Sequence, residues 1–133
     1  MQTQFVNPMT LCPTFGWTHV VTVTGGKTVY ISGQVSVNER GEVVGKGDLR
    51  AQAVQTFENL KLALAAVGAT FRDVLKTNLY VVGLRPEHVP VLREVRGRYI
   101  NPEQPPASTL VGVSALVGAD WLIEIEAVAV VPE

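Results

Sequence analysis

The chain has 133 residues, 47% of them apolar, with a formal net charge of −1. That length suits one domain, residues 1–133, burying roughly two-thirds of its unfolded surface. Interspersed charges of near-zero sum argue against nucleic-acid binding, and no apolar run approaches the ~18 residues of a bilayer span.

Residues 17–24 are rich in β-branched types and end at Gly25-Gly26, a hairpin signal, with Thr28 to Ser32 returning as a second strand. Gly33-Gln34 interrupts that strand, and Val35 to Val37 leads to a turn at Asn38 to Gly41. Asp48 is a suitable N-cap and Gly68 a suitable C′ residue for a long helix. Within it Ala53, Phe57, Leu60, Leu64 and Val67 recur at spacings of three and four, forming one apolar stripe. About 20 residues at 1.5 Å rise give a helix near 30 Å long.

Val74 to Val82 alternates, with Leu75, Thr77, Leu79 and Val81 on one face and Lys76, Asn78 and Tyr80 on the other. A second helix is expected from about Pro86 to Tyr99, with Pro90 either in its first turn or kinking it. Asn101 to Pro106 reads as extended loop, because residues before proline avoid the α region. Pro105 to Val113 and Leu122 to Ala129 read as two strands joined by a turn at Gly118-Ala119-Asp120.

The predicted order is β-β-α-β-α-β-β, an α+β domain with a mixed sheet and both helices on one face. In the last strand Ile123, Ile125, Ala127 and Ala129 share a face suited to close helix approach. Leu122, Glu124, Glu126, Val128 and Val130 share the other. That face is too apolar for bulk water and too charged for a dry core. A subunit interface with a polar pocket at one end reconciles the two.

The first residues lack a basic stretch followed by an apolar core, and a lone thiol fits a reducing compartment, so a cytoplasmic location is expected. Cys12 beside Pro13 has no basic neighbour in sequence and reads as inert. His19 and His88 have no third ligand at metal spacing, so neither a metal nor a cofactor is indicated. Glu124 and Glu126 either reach solvent or line a site; the strand pattern leaves both open.

Several segments resemble the reactive intermediate deaminase family (RidA, YjgF or L-PSP). They are Val29 to Val35 with its Ser32-Gly33-Gln34, and Gly41-Glu42-Val43 leading to Gln52-Ala53, Asn59-Leu60 and Gly68. Asp73 to Thr77 with Tyr80-Val81, and the C-terminal pair of strands, complete the set. The resemblance implies a chorismate-mutase-like fold and a homotrimer with small-molecule sites at subunit interfaces. It also implies hydrolysis of enamines or imines to keto compounds and ammonia.

By resemblance, Glu124 handles a water and Gly33 supplies a backbone contact. Trp17 stands near a family tyrosine, and Leu110 replaces a pocket residue that is often cysteine. Ser108 stands where the family carries the arginine that clamps a substrate carboxylate, and a hydroxyl cannot supply that charge. Arg72, Arg85, Arg93, Arg96 and Arg98 are candidate substitutes that no spacing argument separates.

Ser108 lacks the flanking glycines and linked histidine of a hydrolase nucleophile, although it and Thr109 could hydrogen-bond a ligand. Gly33 suggests a bulge or a close approach of backbone to ligand. Two functions stay open: an imine or enamine deaminase, and a metabolite-binding trimer without turnover. The ribonuclease or translation-inhibitor activity attached to the L-PSP name finds no basic, aromatic-interleaved patch to support it.

Overall fold

A computed structural model describes residues 1–133. Six strands and two helices follow one another as β1 (Gln2–Val6), β2 (Val20–Thr24), β3 (Lys27–Val35), α1 (Leu49–Ala65), β4 (Val74–Val82), α2 (His88–Gly97), β5 (Ala107–Val113) and β6 (Ile123–Val131). The main sheet has the order β3-β6-β4-β5, with β4 and β5 parallel and β6 antiparallel to both its neighbours. Two βαβ-like halves result: β3-α1-β4, with β6 inserted between its strands, and β4-α2-β5. The fold is α+β and chorismate-mutase-like, with both helices packed on one face of the main sheet. No helix is long and apolar enough to cross a membrane.

The first helix forms as its caps dictate. Asp48 accepts a hydrogen bond from the Ala51 amide at 3.0 Å, and Gly68 takes a positive φ of 73° just beyond the C-terminus. Ala53, Phe57, Leu60 and Leu64 are buried as the stripe predicts, whereas Val67 lies past the helix end and is 41% exposed. The second helix starts at His88, so Pro90 falls in the first turn, where its missing N–H has no intrahelical partner to lose. Phe57 stacks on Tyr99 at 5.1 Å between ring centroids, and Phe71 leans against both rings. Along α2, Arg98 pairs with Glu94 at 2.6 Å, and Arg50 of α1 binds the same carboxylate across the two helices.

Several connections differ from expectation. The Gly25-Gly26 pair is not a hairpin within one sheet. It carries the chain from β2, which pairs only with the unanticipated β1, to β3 in the main sheet. Both glycines have positive φ (76° and 83°), and a Cβ on Gly26 would lie 2.7 Å from Val130. Residues 17–19 belong to the preceding loop, not to a strand. The two C-terminal strands are not neighbours, since β6 runs through the sheet interior while β5 stays at its edge. Leu75 leaves the buried face because the register of β4 against β6 shifts between Val74 and Lys76.

Two side-chain amides, the buried Gln52 and the half-buried Asn59, hold loops that secondary structure does not. Gln52 donates to the carbonyls of Gly45 (3.2 Å) and Asp120 (2.9 Å) and accepts from the Leu122 amide (2.9 Å). It thereby ties the entry to β6 against α1. Asn59 donates to the carbonyls of Val35 and Val37, both at 2.8 Å, and fixes the end of β3.

Candidate functional site

The five residues singled out by sequence fall into two groups. Trp17, Ser108 and Leu110 line one cavity of about 220 Å³. β5 supplies Ser108 and Leu110, which lie opposite Thr77 and Leu79 on the helix-facing side of the sheet. The loop before β2 supplies Trp17. It is anchored where Thr18 donates through its amide to the Pro106 carbonyl (3.1 Å) and through its hydroxyl to that of Pro105 (2.5 Å). Trp17 then meets the His19 ring edge-on at 4.7 Å. Leu79, Val89 and Leu92 complete an apolar wall, and Arg93 and Arg96 project from α2 into the same space.

Within this cavity the Ser108 hydroxyl already accepts a hydrogen bond from Thr77 at 3.1 Å. Thr109, considered with it as a ligand contact, points to the opposite face and accepts from Lys76 at 2.8 Å. Strand alternation makes that outcome unavoidable for adjacent residues.

Gly33 and Glu124 form the second group, on the face away from the helices. The register of β3 against β6 shifts between Ile31 and Gln34, so the bulge foreseen at Gly33 is present without ending the strand. The Glu124 carboxylate occupies the space that a side chain at position 33 would need, with a Cβ there falling 2.0 Å from Oε2. Its neighbour Glu126 is committed, accepting from the Tyr80 phenol and from Asn78 at 3.4 Å. The Tyr80 phenol is pushed up by its hydrogen bond to Glu126, then by desolvation and the negative charges of Glu126 and Glu124. Glu124 makes neither of these bonds, and its carboxylate is left half-buried with both oxygens available.

Gly33→Ala should therefore swing Glu124 away and reduce any reaction that uses it, with little change in thermal stability. Comparing turnover with the melting midpoint of the same variant tests this. Equal turnover would separate the glycine from the carboxylate's placement.

The two groups cannot meet within one chain. Gly33 on the β3 edge is three strands from β5 and Glu124 on β6 is two, or about 14 and 10 Å at ordinary strand spacing. The groups also lie on opposite faces. Arg72, Arg85 and Arg98 stay outside the cavity, and among the sequence candidates for a compensating cation only Arg93 and Arg96 line it. Their helical spacing of three was visible in sequence, but which strand α2 would cover was not.

Cys12 does have a basic neighbour, His19, whose Nε2 lies 4.0 Å from the sulfur. The same nitrogen sits 2.8 Å from the Cys12 carbonyl and must donate its proton there, so it cannot act as a base toward the thiol. No cluster of three or more histidine, cysteine or acidic side chains is arranged to hold a metal.

Comparison with known proteins adds to this geometry. The family model described as Endoribonuclease L-PSP matches residues 10–131. A 2-iminobutanoate/2-iminopropanoate deaminase of Dermatophagoides farinae is 34% identical over 106 residues, covering 80% of each chain. The 3-aminoacrylate deaminase RutC of Acinetobacter baylyi is 35% identical over 101 residues, covering 76% of this chain and 77% of that protein. Among solved structures, a Rid-family protein of unknown function from Yersinia pestis superimposes with a TM-score of 0.91 at 39% identity, covering 98% of this chain and all of the other. RidA from an Antarctic Psychrobacter gives a TM-score of 0.70 at 35% identity, covering 82% and 85%.

Proposed function

The chain belongs to the RidA/YjgF/L-PSP family, and from that premise we propose that it is a cytoplasmic homotrimer hydrolysing small enamines or imines at sites shared between subunits. One observation carries the reading. Glu124 is an unengaged carboxylate seated in the space that Gly33 leaves by having no side chain, and the ligand-sized cavity of Trp17, Ser108 and Leu110 lies at the far edge of the sheet. Head-to-tail contacts that close on themselves bring the β3 edge of one copy against the β5 edge of the next, and so unite the two half-sites. The open face carries Val128, Val111 and the 81%-exposed Tyr30 among polar and charged residues, and supplies surface for such contacts.

The chemistry asks little of the protein. The cavity holds the substrate with its C=N carbon toward Glu124 of the adjoining copy, and that carboxylate orients a water and accepts its proton as oxygen attacks. The nitrogen takes up protons, the C–N bond breaks, and ammonia leaves as the new oxygen forms the carbonyl. An imine and one water thus become a keto compound and ammonia. Two relatives named for deamination of imino acids and aminoacrylate support this class of substrate. A net charge of −1 gives no general phosphate-binding surface for the ribonuclease activity in the family model's description.

The test generates imines in situ with an amino acid oxidase and reads their capture by a scavenger in competition with the protein. Accelerated loss of imine across several side chains is the expected result. No acceleration with any of them would leave a metabolite-binding trimer without turnover, the reading that Ser108 favours.

A further inference from the structure

We propose that Arg96, with Arg93 beside it, is the anion anchor of the cavity, so that the site takes small carboxylates bearing an apolar side chain. This rests on the small-molecule site proposed above and names the class of ligand it takes. The cation absent at Ser108 on β5 is supplied from α2, across the pocket.

Four of the other five arginines are neutralised, and the fifth, Arg72, is exposed to solvent away from the cavity. Arg40 pairs with Glu42, Arg85 with Glu87, and Arg50 and Arg98 share Glu94. Arg93 and Arg96 have no carboxylate partner, and no acidic residue lines the cavity they enter. One turn apart on the same helix face, they hold two like charges together. Arg96 is half-buried, and desolvation, followed by the charge of Arg93, lowers its pKa from the ordinary arginine value. A half-buried unneutralised guanidinium against apolar walls, with exposed Arg93 as a second like charge beside it, is costly alone and is relieved by an anion.

The surrounding loop holds both guanidiniums in place. Arg93 lies over the Phe15 ring, 5.1 Å from its centroid, and Arg96 Nη2 approaches the Phe15 carbonyl at 3.4 Å. Gly16 follows with a positive φ of 76°, and a Cβ there would fall 2.6 Å from Nη2, so the chain passes the guanidinium where only glycine fits. A planar fork of donors suits a carboxylate, while Trp17, Leu79, Leu92 and Leu110 suit an aliphatic or small aromatic group attached to it. About 220 Å³ restricts the ligand to a small acid.

The experiment titrates the intact protein by calorimetry with 2-ketoisocaproate and, separately, with its methyl ester. The acid should saturate, and the ester should bind at least about 10-fold more weakly, as loss of a charge-assisted contact implies. Arg96→Gln keeps the aliphatic stem and should weaken the acid by about 10–100-fold without changing ester binding. Arg96→Gln combined with Ser108→Arg restores a guanidinium from the β5 side and should recover acid binding. Light scattering on each variant reports assembly.

Equal binding of acid and ester, absence of acid binding, or an Arg96→Gln variant that binds as wild type would overturn the proposal. So would dissociation of the oligomer by Arg96→Gln that Ser108→Arg does not repair, since the guanidinium would then serve a subunit contact. Turnover is read separately. An acid-selective protein that hydrolyses no imine keeps the anchor and discards the deaminase reading, and imine hydrolysis without acid selectivity does the reverse.

Discussion

Glu124→Gln is expected to lower imine hydrolysis by about 10²–10⁴-fold, the range for losing a positioned acid–base group, while the fold and assembly stay intact. The amide is nearly isosteric and the carboxylate has no hydrogen bond to Tyr80 or Asn78 to forfeit, because Glu126 holds both. The neighbouring substitution Glu126→Gln serves as the contrast: it weakens the Tyr80 contact but removes no group from beside Gly33. An unchanged rate in Glu124→Gln would take Glu124 out of the mechanism. Because the half-sites lie on opposite faces of the sheet, two impaired variants should also complement one another when assayed with a subsaturating imino acid. Mixing Glu124→Gln with Arg96→Gln and allowing subunits to exchange should regenerate intact sites, about a quarter of the total for an even mixture in a ring of heterologous contacts. No recovery after demonstrated exchange would mean that one subunit carries the whole site.

The largest loss of stability is expected from Phe57→Ala, at about 3–5 kcal/mol. Phe57 is 1% exposed and joins α1 to Tyr99 beyond α2 and to Phe71 before β4, so its removal leaves a void that three elements border. Chemical denaturation at fixed protein concentration measures the change free of mass-action effects from assembly. A loss below about 1 kcal/mol would mean that Tyr99 and Phe71 close over the gap. The same variant should impair ligand binding, because this aromatic stack seats the C-terminal end of α2, where Arg96 stands.

Periodicity and capping chemistry sufficed for the elements that are self-contained. Asp48 and Gly68 bracket α1, strict alternation marks β4, and Ile123 to Ala129 show which face of β6 the helices cover. Each of these signals lies within one segment and needs no knowledge of its neighbours. Pairing was not legible in that way. Gly25-Gly26 has the composition of a hairpin turn whether the chain doubles back within a sheet or passes to another one. Strand β1, with Met1 at one end and alternate residues exposed, is held by β2 and carries no strong pattern of its own.

The candidate site divides along the same line. Gly33, Glu124 and the serine at position 108 were recognisable because they sit in short local motifs. Sequence alone determined the α+β class, the residues that cap α1, the two-faced last strand and a serine, not a cation, at position 108. Tertiary structure alone decided that Gly33–Glu124 and Trp17–Ser108–Leu110 stand on opposite faces of the sheet, and that Arg93 and Arg96 reach the second group. The reason is physical: burial patterns record how each segment meets water, whereas the meeting of α2 with β5 depends on sheet order, which a long-range pairing sets and no single segment encodes.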